Sequence, residues 1–106
     1  MNNIKGIINI PDLCFKHGLK HIVISPGSRN APLVISFLKH QKIKCYSIPD
    51  ERSAGYFALG LSLYLNKPVG VLCTSGTATL NLAPSVAEAF YQNLPLIVFT
   101  ADRPPE

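Results

Sequence analysis

Ile48-Pro49-Asp50-Glu51-Arg52-Ser53-Ala54-Gly55 marks a change from an apolar strand to a helix and sets an acid at the junction. Asp50 suits the N-cap, because its side chain can accept a hydrogen bond from a free amide of the first turn, which leaves Glu51 to open the helix itself. Two effects then compete for the Glu51 proton. The positive end of the helix dipole favours the carboxylate, burial in an apolar pocket favours the neutral acid, and each pKa unit is worth about 1.4 kcal/mol. The same position also fits a solvent-facing first-turn acid, so the surrounding chain has to decide between the two readings.

From this junction the helix is expected to run through Tyr56, Phe57, Leu59 and Leu63 to about Tyr64. Apolar residues lie almost all round it, which reads as a buried helix, and Ala54, Gly55, Ala58 and Gly60 would let another backbone approach closely. Upstream, Lys44 to Ile48 reads as a strand, and a helix with Pro32 in its first turn follows Asn30 or Ala31. His21 to Ser25 is a buried strand ending in the loop Pro26-Gly27-Ser28-Arg29-Asn30. Before it, Asn9 can cap a short helix with Pro11 in its first turn and Gly18 as its stop; a start near Ile4 with a kink at Pro11 is the alternative. Downstream come a strand from Pro68 to Cys73, a tight loop Thr74-Ser75-Gly76-Thr77 and a helix from Ala78 to Gln92, which Pro84 must kink or in which it begins the main body. A last strand spans Pro95 to Ala101.

Strand and helix alternate, so the expected fold class is α/β, a parallel sheet with helices on both faces. Ligands in such sheets collect beyond the carboxyl ends of the strands, where the loops at Pro26–Arg29, Asp50–Glu51 and Thr74–Thr77 all fall, as does Arg103. Ser25 to Arg29 joins a glycine, two hydroxyls and a fixed cation, a set suited to a carboxylate or phosphate, but it is neither a Walker loop nor a dinucleotide turn.

The chain has 106 residues, 47% of them hydrophobic, which bounds it to one globular domain. Its formal charge of +4 comes from scattered lysines without a dense basic stripe or interleaved aromatics, which argues against nucleic acid as a partner. The uncharged run Ser53 to Asn66 is too short and too broken for a membrane span, and Met1 to Pro11 lacks the features of a signal peptide, so a cytoplasmic setting is expected. Cys14, Cys45 and Cys73 read as buried free thiols, and His17, His21 and His40 give no metal-binding geometry. No metal ligand is assigned.

Ser25-Pro-Gly-Ser-Arg29, Asp50-Glu-Arg-Ser-Ala-Gly55, Thr74-Ser-Gly-Thr-Ala78 and Thr100-Ala-Asp-Arg-Pro-Pro-Glu106 together resemble the amino-terminal part of the 2-succinyl-5-enolpyruvyl-6-hydroxy-3-cyclohexene-1-carboxylate synthases, thiamine-diphosphate-dependent enzymes of menaquinone biosynthesis. The resemblance implies that residues 1–106 are the amino-terminal part of a pyrimidine-binding domain, with a middle and a diphosphate-binding domain absent. It implies that Glu51 hydrogen-bonds N1′ of the cofactor's aminopyrimidine and promotes its imino form. It also implies that Pro26, Thr77 and Asn81 lie beside the pyrimidine and that Ser28, Arg29 and Arg103 contact substrate carboxylates. The substrates would be 2-oxoglutarate, which is decarboxylated, and isochorismate, to which the succinyl unit is added. Mg²⁺ would be bound by the missing diphosphate-binding domain. Arg52 is left as a structural ion pair. The chain alone is expected to be inactive and to self-associate, the full-length enzyme being a homo-oligomer, dimer or tetramer. Two other readings remain open: another thiamine-diphosphate enzyme, such as an acetolactate-synthase-like or decarboxylase-like one, and a non-catalytic α/β binding or assembly module.

Overall fold

The computed structural model describes residues 3–101, in the order α1 (Asn3–Lys16), β1 (His21–Ile24), α2 (Ala31–Lys39), β2 (Lys44–Ser47), α3 (Glu51–Leu65), β3 (Val69–Cys73), α4 (Thr77–Leu80), α5 (Ala83–Gln92) and β4 (Leu96–Thr100). The strands form one parallel sheet in the order β2-β1-β3-β4. After β1 the chain moves outward to β2, then returns to the other side of β1 for β3. The order therefore reverses between β1 and β3, the place where open α/β sheets leave a crevice for ligands.

Alternation along the strands divides the interior into two cores. Ile22, Ile24 and Leu72 face α1 and α2 with Leu19, Phe37 and Ile43. Val23, Val69, Val71 and Cys73 face the other way, towards Ala54 and Ala58 of α3, Ala78 of α4 and Leu82. Every residue of β3 is buried, as a central strand covered on both faces requires. The α/β class with helices on both faces is thus observed.

The first helix follows the longer of its two expected paths. It includes Pro11, which has no N–H to give to the Ile7 carbonyl one turn back, and the Ser36 hydroxyl of α2 donates to that carbonyl at 2.9 Å. A cross-helix bond thereby replaces the one that proline removes. The helix ends before Gly18, whose φ of +97° is left-handed. The expected single helix from Ala78 to Gln92 is two helices with a turn at Asn81-Leu82, and Pro84 sits in the first turn of the second.

The all-round burial expected of α3 is corrected. Ala54, Gly55, Ala58, Leu59 and Ser62 form its buried face, while Tyr56, Phe57, Leu63 and Tyr64 are exposed. The reason is that the described residues cover one side of this helix, with the sheet, α5 and the Ala78 and Leu82 side chains. At the α5 contact a methyl group on Gly55 would press into the Ser85 hydroxyl, so the close approach expected of the small residues is made there within the chain. Among the cysteines, which are all free, only Cys73 is fully buried; Cys14 and Cys45 are half-buried. Among the described residues no helix is long and apolar enough to cross a membrane.

Candidate functional site

Three loops meet at the carboxyl ends of β1, β2 and β3. Ser25 ties the first to both its neighbours: its N–H donates to the Leu72 carbonyl of β3 at 2.9 Å, and its buried hydroxyl donates to the Ile48 carbonyl beyond β2 at 2.6 Å. The first and third loops touch directly, since a Cβ on Gly27 would stand 2.8 Å from the Thr74 Cβ. Only glycine lets the backbone of the first loop sit this close to the Thr74 side chain.

Asp50 caps α3 as its residue type predicts. Its carboxylate accepts from the Ser53 N–H at 2.9 Å and the Ser53 hydroxyl at 2.7 Å, and these bonds hold its pKa below the usual carboxylate value. Glu51 follows as the first residue of α3 and is half-buried. Among the described residues no hydrogen bond or ion pair engages its carboxylate. Its charge is felt by the Cys73 thiol at the end of β3, whose pKa is raised by burial first and by Glu51 in addition. Glu51 thus opens α3 on the side of the sheet where the carboxyl end of β3 lies, close enough for its charge to act on Cys73. An acid at a helix N-terminus, half-shielded and unpaired among the described residues, can hold a hydrogen bond to a ring nitrogen.

Ser28 and Arg29 stand exposed on the first loop, and neither makes a hydrogen bond or ion pair among the described residues. Pro26 is exposed beside them, and Thr77 is exposed at the start of α4. Asn81 ends α4, and its side-chain amide turns back to donate to the Thr77 carbonyl at 3.3 Å. Arg103 lies outside the described residues. Arg52 is exposed and forms no ion pair among the described residues; its charge helps to lower the Asp50 pKa. Among the described residues no cluster of three or more His, Cys, Asp or Glu side chains is placed to hold a metal ion. A groove of about 380 Å³ between α1 and α2, lined by Ile8, Pro11, Pro32 and Ile35 among others, contains none of the expected site residues.

Two features of the site escaped the sequence reading. Asn30 fits a helix start by residue type, whereas its buried amide bonds back into the loop, to the Gly27 N–H and the Ser25 carbonyl. The nearness of Cys73 to Glu51 depends on how α3 lies across β3, which no local motif encodes.

The family model described as "Thiamine pyrophosphate enzyme, N-terminal TPP binding domain" matches residues 9–106. Similar proteins include the 2-succinyl-5-enolpyruvyl-6-hydroxy-3-cyclohexene-1-carboxylate synthases of Cytophaga hutchinsonii, 53% identical over 96% of this chain and 18% of the relative, and of Desulfotalea psychrophila, 62% identical over 86% of this chain and 17% of the relative. The synthase so named in Porphyromonas gingivalis is 56% identical over 96% of this chain and 18% of its own length. The chain thus spans less than a fifth of the length of these relatives.

Proposed function

The chain belongs to the thiamine pyrophosphate enzyme family, matching its N-terminal TPP binding domain, and from that membership we propose that it forms the pyrimidine-binding part of a synthase that decarboxylates 2-oxoglutarate and joins the succinyl unit to isochorismate. The relatives' shared name supports the choice of reaction. The observation that carries the reading is the Glu51 carboxyl, half-buried at the start of α3 and unpaired among the described residues. Bound thiamine diphosphate supplies the carbanion stabilisation that decarboxylation and carbon–carbon bond formation need.

The residues of this chain bind, orient and control one proton. Glu51 would hold that proton against N1′ of the pyrimidine. Pro26 and Thr77 give the ring its contacts, and Asn81 orients Thr77 through the Thr77 carbonyl. Ser28 and Arg29 offer a hydroxyl and a guanidinium to a substrate carboxylate, with Arg103 completing the anion site. Mg²⁺ and the diphosphate are held by residues beyond this chain, so the chain by itself is inactive and works within a cytoplasmic homo-oligomer.

The test is Glu51→Gln in the full-length synthase. It keeps the shape and removes the acid, and kcat is expected to fall by about 10²–10⁴-fold with both substrates present. A fall of less than threefold would remove Glu51 from the chemistry. Turnover of pyruvate without isochorismate by the wild-type enzyme would favour an acetolactate-synthase-like or decarboxylase-like activity instead. A folded full-length protein that neither binds thiamine diphosphate nor turns over any 2-oxo acid would favour a non-catalytic assembly module.

A further inference from the structure

We propose that Asn30 is a positioning residue for substrate recognition, one that fixes the backbone from which Ser28 and Arg29 reach the carboxylate; the proposal rests on the functional reading above. Asparagine is among the best N-cap residues because its side chain can accept from a free amide of the first turn. Asn30 occupies the N-cap of α2 and makes no such bond. It is 1% exposed, and both halves of its amide turn the other way. Oδ1 accepts from the Gly27 N–H at 2.8 Å, and Nδ2 donates to the Ser25 carbonyl at 3.0 Å. One partner is a donor and the other an acceptor, so the network admits only one orientation of the amide.

The two bonds close a ring across residues 25–30 whose exposed members are Pro26, Ser28 and Arg29. That ring is anchored from below at three points: the Ser25 N–H on Leu72, the Ser25 hydroxyl on Ile48, and Gly27 against Thr74. The Ile48 anchor lies just before Asp50 and Glu51, so the same frame sets the anion loop relative to the acid. Binding a carboxylate then requires only the side chains of Ser28 and Arg29 to settle, because the backbone is already ordered. Without Asn30 the loop would have to order each time substrate arrives, and the effect would appear in substrate affinity rather than in the chemical step.

The experiment is a double-mutant cycle in the full-length synthase, pairing Asn30→Ala and Asn30→Asp with Arg29→Ala. In the Arg29 background each Asn30 variant is expected to raise KM for at least one anionic substrate by about tenfold or more, with kcat within about threefold. In the Arg29→Ala background the same changes should raise KM by less than about twofold, since the loop no longer has its cation to present. An unchanged KM, or an equal rise in both backgrounds, would overturn the proposal. Asn30→Asp keeps the acceptor for Gly27 and sets a negative charge against the Ser25 carbonyl, so it decides the matter if Asn30→Ala does not fold.

Hydrogen exchange at the Gly27 amide of the 106-residue chain reads the frame without any activity. It should be slow in the wild type and about tenfold or more faster in Asn30→Ala. Equal exchange in the two proteins would overturn the frame itself. Wild-type enzyme that turns over neither substrate would refute the functional reading while leaving the exchange result to stand on its own.

Discussion

His21 opens β1 at the opposite end of the strands from Glu51, and its Nδ1 lies 2.9 Å from the Tyr46 hydroxyl of β2. Burial first, and then the charges of Lys44 and Lys20, hold the imidazole below its usual value of 6.5. His21 Nδ1 and the Tyr46 hydroxyl share a hydrogen bond, and the folded state binds the imidazole proton less readily than the unfolded chain does. The resulting stability is therefore present above about pH 6.5 and is lost as pH falls through that value towards the folded pKa. An NMR titration of the His21 ring should give a midpoint below 6.5, and His21→Gln should flatten the loss of urea resistance over that range. A midpoint at or above 6.5 would contradict the assignment. Residues of this kind divide by legibility. Asp50 and Glu51 could be read in sequence because a cap and the residue after it are neighbours, and the cap bond spans only three residues. The Ser25 hydroxyl reaches Ile48 across 23 positions, so its role depends on β1 lying beside β2 and was visible only as part of a motif.

Among the elements, the pairing of α1 with α2 depends on a repair. Pro11 is buried inside α1, and Ser36 of α2 answers the Ile7 carbonyl that proline leaves without an intrahelical donor. Ser36→Ala removes that donor from a partly buried carbonyl and should cost about 1 kcal/mol, seen as a lower urea midpoint with an unchanged m-value. No change in midpoint would mean that water serves Ile7 equally well. The strands, helices and their order were legible because hydrophobic runs, prolines and glycines punctuate this chain clearly. The start of α1 was less so, because proline at position 11 fits either the first turn of a short helix or the interior of a long one, and the deciding donor lies on another element. The split between α4 and α5 was expected only as a kink or a new beginning at Pro84. The structure breaks the helix before it, at the Asn81-Leu82 turn.

For the molecule as a whole, the apolar pattern exceeds what the described fold covers. The composition of α3 is apolar on nearly every side, as in a buried helix, yet Leu63 is 61% exposed and Tyr64 85%, with Phe90 at 76% and Tyr91 at 79% on the neighbouring α5. Gly60 stays open on α3, with nothing within 4 Å of where a Cβ would stand, so another backbone can come close there. An aromatic and aliphatic face of this kind, carried by two packed helices, is the composition of an interface. We expect a second copy of this chain to cover it, because a homo-oligomer is the functional reading. Sedimentation velocity of the 106-residue chain should show a weight-average size that rises with concentration, and more steeply at higher salt, where the net charge of +4 is screened. Leu63→Glu with Tyr64→Glu places two like charges on the shared face of both copies and should return the chain to monomer while its far-UV spectrum stays the same. A wild-type chain that remains monomeric at every concentration would leave α3 and α5 to a different surface. Association that survives both substitutions would move the contact elsewhere, to the open edge of β2 or β4, where unpaired backbone groups favour strand addition.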